Sequence, residues 1–112
     1  MKTVELCIPS QPEYVTTLRL VTASVGQHMG FDFDVIEDLR ICVSEAVNYL
    51  LASNERIAVH FEEEEDRLVV AIDAKTDETD MEGAELHHQI MESLMDTVEV
   101  SEERILLTKY RG

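Results

Sequence analysis

Few side chains in this sequence have the types and spacing of a known reaction centre. Serine-elbow, Walker, dinucleotide-binding and HExxH motifs are absent, and with only 4 glycines the chain has no glycine-rich phosphate loop. His87 and His88 are adjacent, which points their rings about 100° apart on a helix and makes joint metal ligation awkward. His28 and His60 are isolated and have the character of ordinary surface or half-buried histidines. We therefore expect no metal site.

The net charge argues against two classes of partner. The sequence has 9 Lys and Arg against 24 Asp and Glu, which gives a formal net charge of −15. A nucleic-acid backbone or an anionic bilayer would be repelled over most of such a surface. The N-terminal residues lack the apolar region of a signal peptide, and no segment approaches the roughly 20 apolar residues that cross a bilayer. We expect a cytoplasmic protein that binds neither nucleic acid nor membrane directly.

The two cysteines do not have the pattern of a disulfide framework or of a metal site. Cys7 and Cys42 lie far apart within apolar stretches and lack CxxC spacing. Buried free thiols are common in the reducing compartments of cells. We interpret both residues as buried thiols.

The first half of the chain predicts one strand and two helices. Apolar residues alternate up to Pro9, which is typical of a strand. Ser10 and Glu13 have the spacing of a capping box, which predicts the start of a helix that Gly30 ends. Asp32 or Asp34 is suited to cap the second helix, whose wide apolar stripe extends from position 35 to 51.

The second half predicts two hairpins around a third helix. Runs 57–61 and 68–72 are β-rich, and the acidic segment 62–67 suits a solvated hairpin tip. The spacing from Glu82 to Met95 is helical, and a closing hairpin follows. Because helices and strands do not alternate regularly, this order favours an α+β fold, a two-layer sandwich. A length of 112 residues and a hydrophobic share of 45% suit a single domain over residues 1–112.

Segment 36–47 has the sequence Ile-Glu-Asp-Leu-Arg-Ile-Cys-Val-Ser-Glu-Ala-Val. It resembles the serine-kinase type of anti-sigma factor, and segments 8–14, 18–20 and 30–31 resemble it too. That family belongs to the superfamily of gyrase, heat-shock chaperone, histidine kinase and MutL ATP-binding domains. Segments 90–100 and 106–109 resemble its last helix and final strands, so the similarity covers nearly the whole chain. The resemblance implies a histidine-kinase-like ATPase fold, in which three helices cover one face of a mixed, mostly antiparallel five-stranded sheet.

The resemblance assigns a catalytic role to Glu45. In the family, a Glu of the second helix acts as general base, and an Asn four residues later coordinates Mg²⁺ above the ATP phosphates. Glu45 matches the Glu, but Tyr49 stands at the Asn position, and the nearest Asn is Asn48. The alternative for Glu45 is an exposed helix carboxylate without a catalytic role.

The remaining nucleotide-binding positions that the resemblance implies are only partly matched. Asp73 stands where a family Asp accepts from adenine, but no glycine follows it closely. Of the phosphate-binding glycines only Gly83 is matched, while Glu85 and His87 occupy the other two positions. The short stretch between Asp73 and Gly83 implies a truncated ATP lid. These losses together predict a degraded nucleotide site.

The resemblance also implies a surface for a protein partner. Arg19 matches an Arg with which family members contact their partners, and the alternative is a solvated arginine or one paired with Glu13 or an acid of the second helix. Family members pair as dimers, and the first strand offers an apolar edge, so we expect a homodimer.

Three functions remain open. The first is an anti-sigma-type regulator that binds a sigma factor or an anti-anti-sigma antagonist and needs no cofactor. The second is an active serine protein kinase that uses ATP and Mg²⁺ with Glu45 as base. The third is a scaffold subunit that shares only the fold.

Overall fold

The order of helices and strands is the one that the sequence predicts. The computed structural model describes residues 2–76 and 81–111, and of residues 81–84 only the helical backbone is described. The strands are β1 (Lys2–Pro9), β2 (Arg56–Glu63), β3 (Arg67–Asp73), β4 (Thr97–Val100) and β5 (Arg104–Tyr110). The helices are α1 (Glu13–His28), α2 (Phe33–Leu50), a short 3-10 turn (Leu51–Ser53) and α3 (Met81–Leu94).

The five strands form one sheet in the order β1-β2-β3-β5-β4. Each neighbouring pair is antiparallel, so the described sheet is antiparallel throughout rather than mixed. The direction reverses between β1 and β2 because two helices, not one, lie between them in the chain. Strand β1 lies at an edge of the sheet, as the sequence analysis expects.

The core lies between the helices and one face of the sheet. Successive side chains of a strand point to opposite faces, and every second residue of the central strands is buried in this core (Ile57, Val59, Phe61, Leu68, Val70, Ile72, Ile105, Leu107). Helical residues complete it (Leu18, Leu39, Val43, Leu50, Met91). Burying each of these side chains fully contributes about 1.5–3 kcal/mol relative to exposure. The alternate strand positions lie on the open face of the sheet, away from the helices.

The two helix starts differ in how they are capped. Asp32, rather than Asp34, caps α2, since its carboxylate accepts from Val35 N at 2.9 Å. The predicted capping box at Ser10 is wrong: α1 has no side-chain cap, and the Ser10 hydroxyl donates to the carbonyl of Leu51 at 2.8 Å instead. The hydroxyl therefore donates to a tertiary carbonyl instead of accepting from a backbone N–H of the first turn of α1.

Both cysteines are free, but only Cys42 is buried. Burial, reinforced by the nearby Glu45 carboxylate, raises the pKa of the Cys42 thiol to about 12. Cys7 is exposed, and its prediction as a buried thiol is wrong because it lies at a β1 position that points away from the core. Within the described ranges no helix combines the length and apolar character needed to cross a bilayer.

Candidate functional site

Helices α2 and α3 meet at a cluster of three side chains, which we call the α2–α3 cluster: Glu45, Tyr49 and His87. Glu45 and Tyr49 lie one turn apart on α2 and both face α3. The Nδ1 atom of His87 lies 2.5 Å from Oε1 of Glu45, and each side chain is about a quarter exposed (26% and 27%). The rings of Tyr49 and His87 are tilted by 45° with their centroids 5.1 Å apart. His87 is thus held between the carboxylate and the phenol ring.

The contact between Glu45 and His87 is a close approach of a ring nitrogen to a carboxylate oxygen rather than an aligned hydrogen bond. The direction at Nδ1 does not meet hydrogen-bond geometry. The imidazole nevertheless stands directly against one carboxylate oxygen. A hydroxyl group from another molecule would have to share that oxygen with His87 or approach the other carboxylate oxygen.

Asn48 does not join this cluster. It directly precedes Tyr49 on α2, so its side chain points about 100° away from that of Tyr49. Asn48 is exposed, whereas Glu45 and Tyr49 are half-buried against α3. The structure therefore brings Glu45 and Tyr49 together with His87 and leaves Asn48 outside.

Asp73 is separated from the α2–α3 cluster by the sheet. Its carboxylate accepts a hydrogen bond from Arg104 Nε at 2.6 Å and lies 3.0 Å from Nε2 of His60, both on the open face. The other ring nitrogen of His60 lies 3.3 Å from Glu5. The hydrogen bond from Arg104, aided by His60, holds the pKa of Asp73 below its ordinary value. Ala74, the next residue, packs on the helix-side core instead.

The segment that follows Asp73 has its backbone donors engaged within the fold. The amide of Ala74 donates to the Glu103 carbonyl at 3.1 Å, and that of Thr76 donates to the Glu102 carbonyl at 2.9 Å. The amide of Lys75 donates to Oδ1 of Asn54 at 2.7 Å. Three successive N–H groups are therefore bonded at the turn where the resemblance places nucleotide-contacting glycines.

Asn54 is a structural residue that the sequence analysis missed. Its side-chain nitrogen donates to the carbonyls of Leu50 and Lys75, at 2.9 Å each, so it joins the end of α2 to the segment after β3. The signal was an asparagine just beyond a helix, a position where its amide commonly bonds the backbone. The Tyr49–His87 contact was also missed, because it depends on how two helices pack.

The beginning of α3 carries the remaining predicted site residues. Gly83 lies outside the residues whose surroundings the structure describes. Glu85 is exposed and makes no ion pair with any described residue. His88 points away from His87 and pairs with Glu92 at 3.1 Å. Among residues 2–76 and 85–111, no three His, Cys, Asp or Glu side chains are grouped as a metal site would require.

Arg19 lies on α1 on the other side of α2. It is half-buried, and its Nε atom is buried without a hydrogen-bond partner. Over the described part of the chain Arg19 forms no ion pair, so the predicted alternative of pairing with Glu13 or an α2 acid is not observed. Leu20 beside it is 65% exposed, and Ile41 on α2 is 44% exposed. We call Arg19, Leu20 and Ile41 the α1–α2 surface.

The antiparallel sheet, the three helices on one face and the α2–α3 cluster define an α+β sandwich of the histidine-kinase-like ATPase type. No family model matches the chain. It is 32% identical to serine-protein kinase RsbW of Bacillus subtilis strain 168, over 96% of this chain and 84% of that protein. The RsbW of Bacillus velezensis gives the same values, and that of Oceanobacillus iheyensis is 36% identical over 70% of this chain and 54% of that protein. The chain belongs to the RsbW family of serine-protein kinases, which confirms the resemblance.

The comparison also reveals a difference in length. The alignment with the Bacillus subtilis relative spans 135 positions, although this chain has only 112 residues. The relative therefore contains residues within the aligned region that this chain lacks.

Proposed function

We propose that this chain is an anti-sigma-type regulatory protein that acts by binding a protein partner and has lost ATP binding. The partner is a sigma factor or an anti-anti-sigma antagonist, the protein needs no cofactor, and its place of action is the cytoplasm. The observation that carries the proposal is the contact of His87 with Glu45. Binding of nucleic acid or of a membrane is not part of this function.

The chemistry of the α2–α3 cluster supports the loss of catalysis. A general base must have a free oxygen within hydrogen-bond reach of the proton that it removes, and the imidazole of His87 stands at one of the two carboxylate oxygens of Glu45. Mg²⁺ prefers six oxygen ligands in octahedral geometry. Tyr49 offers a phenol hydroxyl in place of an amide oxygen, and its ring faces His87. ATP and Mg²⁺ therefore fit these residues poorly.

The phosphate-binding features support the same conclusion. Phosphates bind where free N–H groups and the positive end of a helix face them. Here the amides of residues 74–76 are engaged by protein acceptors. Glu85 adds a negative charge near the beginning of α3, which opposes an anion there.

The test is thermal melting and calorimetry with Mg-ATP. A ligand present at 100 times its dissociation constant stabilises the fold by about 2.7 kcal/mol. We expect no shift in melting temperature at millimolar Mg-ATP. A micromolar dissociation constant for ATP would contradict the proposal.

A pair of double variants tests whether His87 is the residue that prevents ATP binding. Tyr49→Asn with His87→Gly removes both rings from Glu45 and should increase the melting shift with Mg-ATP. Tyr49→Asn with His88→Gly makes the same change of residue types but keeps His87, so it should behave like the parent. Equal shifts in the two variants would show that His87 does not close the site.

The name of the relatives favours a second candidate, an active serine protein kinase. Glu45 is retained, and in that case it would be the base that accepts the proton of a serine hydroxyl. Glu45→Ala should then abolish phosphate transfer to an antagonist protein without unfolding the chain. Labelled phosphate transferred by the parent protein, and lost in this variant, would replace the first proposal by the second.

We also propose that the protein is a homodimer that pairs through β1. This strand lies at the sheet edge, and an uncovered edge presents unpaired N–H and C=O groups to another chain. Light scattering at high micromolar concentration should give the mass of two chains, twice 12.8 kDa. A monomer mass would contradict this part of the proposal and leave the rest intact.

A further inference from the structure

A small cavity lies between α3 and the hairpin formed by β4 and β5. Its volume is about 330 Å³, which is at the lower end of the roughly 300–1,000 Å³ of small-molecule pockets. Apolar side chains form its wall (Met91, Val100, Ile105), and polar side chains stand around it (Tyr49, Thr76, Glu85, His88). Its size suits one ring with a short substituent.

A larger cavity of about 570 Å³ beside Gly30 is a weaker candidate, because its charged groups already have structural roles. Lys109 donates to a main-chain carbonyl of α3, and Arg111 donates to the carbonyl of Glu65. Asp32 and Asp96 accept from backbone amides. Each of these four groups therefore already makes a bond within the fold.

The polar groups of the smaller cavity are mostly acceptors. Glu85 forms no ion pair with any described residue, so its carboxylate is available. The Thr76 hydroxyl donates to the carbonyl of Ser101 at 3.0 Å, which leaves its oxygen as an acceptor. His88 is paired with Glu92, and no Lys or Arg is among the described residues that line the cavity. The net charge of −15 adds a long-range attraction for cations.

We propose that this cavity binds a small organic cation, an ammonium group carried by a compact apolar body. The ammonium lies towards the carboxylate of Glu85, where it forms a charge-assisted hydrogen bond. The body packs against Met91, Val100 and Ile105, which removes apolar surface from water. Anionic ligands of the same shape are repelled. This site goes beyond partner binding, but because Tyr49 of the α2–α3 cluster lines it, it rests on the proposed loss of ATP binding there.

Three probes with the same phenol ring test the charge requirement. Tyramine is a cation, 2-(4-hydroxyphenyl)ethanol is neutral and 4-hydroxyphenylacetate is an anion. In a titration followed by methyl NMR, tyramine should shift the signals of Met91, Val100 and Ile105 and bind about tenfold more tightly than the anion. Equal affinities for the three probes, shifts confined to other methyl groups, or no saturable shift at millimolar tyramine would each overturn the proposal.

A variant of Glu85 and a matched control test whether the Glu85 carboxylate binds the ammonium group. Glu85→Gln should reduce the affinity for tyramine to that for the neutral probe. Glu99→Gln is the matched control, because Glu99 is exposed and precedes Val100, so its side chain points to the other face of β4. Tyramine binding unchanged in Glu85→Gln would overturn the role of that carboxylate.

Val100→Phe fills the cavity from its exposed rim and should abolish tyramine binding with little change in melting temperature. Undiminished binding in this variant would place the ligand elsewhere and overturn the proposal. These outcomes are separate from the Mg-ATP experiment, whose result decides the loss of nucleotide binding whether or not tyramine binds.

Discussion

Helix α2 separates two regions whose polar side chains differ in whether they have partners within the fold. On the side of α1, Arg19 has no ion pair within the described ranges, and Leu20 beside it is 65% exposed. On the side of α3, the Glu45 carboxylate contacts His87, whose ring packs against Tyr49. The first region has groups suited to binding that make no contact of this kind within the described fold. In the second region the polar groups contact one another.

This difference has a consequence for ligand binding. A group that already pairs within the fold must lose that contact before it binds a ligand, and the lost contact reduces the affinity. An unpartnered buried donor has the opposite effect, because an acceptor supplied by a partner removes a cost of about 1–3 kcal/mol. The comparison therefore favours a protein partner on the α1–α2 surface over a nucleotide at the α2–α3 cluster.

The largest expected effect is on partner affinity at Arg19. A guanidinium at a partly desolvated contact contributes strongly to binding, so Arg19→Ala should weaken binding of the cognate partner about tenfold or more. The melting temperature should change little, since Arg19 forms no ion pair with any residue in the described ranges. Titration calorimetry against a partner identified by pull-down measures the affinity. Thermal melting of the chain alone measures the change in melting temperature.

Arg56→Ala is the matched control for this prediction. Arg56 is exposed at the beginning of β2 and lies outside the α1–α2 surface, so its loss removes the same charge without the same contact. Partner affinity should be unchanged in this variant. Equal losses in the two variants would mean that net charge, and not a specific contact of Arg19, governs partner binding.

How far the sequence predicts the fold depends on how local each feature is. The Asp32 cap and the stop at Gly30 involve residues only a few positions apart, and the sequence predicts the stop and restricts the cap to Asp32 or Asp34. Ser10 has an equally local motif, yet its hydroxyl bonds Leu51, which is 41 residues away. A local motif identifies a hydroxyl that can cap a helix but does not exclude a different partner for that hydroxyl elsewhere in the fold.

The same limit applies to the candidate site. Leu68 and Ile72 face the helices, so the two-residue period of a strand places Asp73 on the opposite face. The resemblance matched Asp73 by residue type, whereas the period determines its direction. The contact of Glu45 with His87 was beyond prediction, because no pattern within α2 or α3 records how the two helices pack.

A smaller effect is expected at the α2–α3 cluster, on stability. A double-mutant cycle of Glu45→Gln and His87→Ala should give a coupling energy of up to about 1 kcal/mol, the usual range for a partly exposed pair. The corresponding cycle of Arg19→Ala and Glu13→Gln should give none. Urea unfolding measures both cycles. No coupling at Glu45 and His87, or coupling at Arg19, would remove the contrast between the two regions.

The smallest expected effect is a change of stability with pH, and it concerns the open face of the sheet. This face is the third region to compare with the two helix regions. The hydrogen bond from Arg104 holds the pKa of Asp73 below the ordinary value of 3.8. A lowered carboxyl pKa stabilises the fold above the ordinary value, and this contribution is lost as the pH falls through the lower, folded value. Asp73→Asn should therefore destabilise the protein at neutral pH and approach the parent's stability in acid.

Solvent exposure limits the size of this effect and also provides a control variant. The side chain of Asp73 is 35% exposed, so solvent screening limits the difference to below about 1 kcal/mol. Glu103→Gln removes an exposed carboxylate that has no ion pair in the described part of the chain, and it should show no comparable change with pH. Urea unfolding between pH 7 and acid measures both variants. A deficit in Asp73→Asn that persists in acid would mean that the contact with Arg104 and His60 acts through packing rather than through the charge of Asp73.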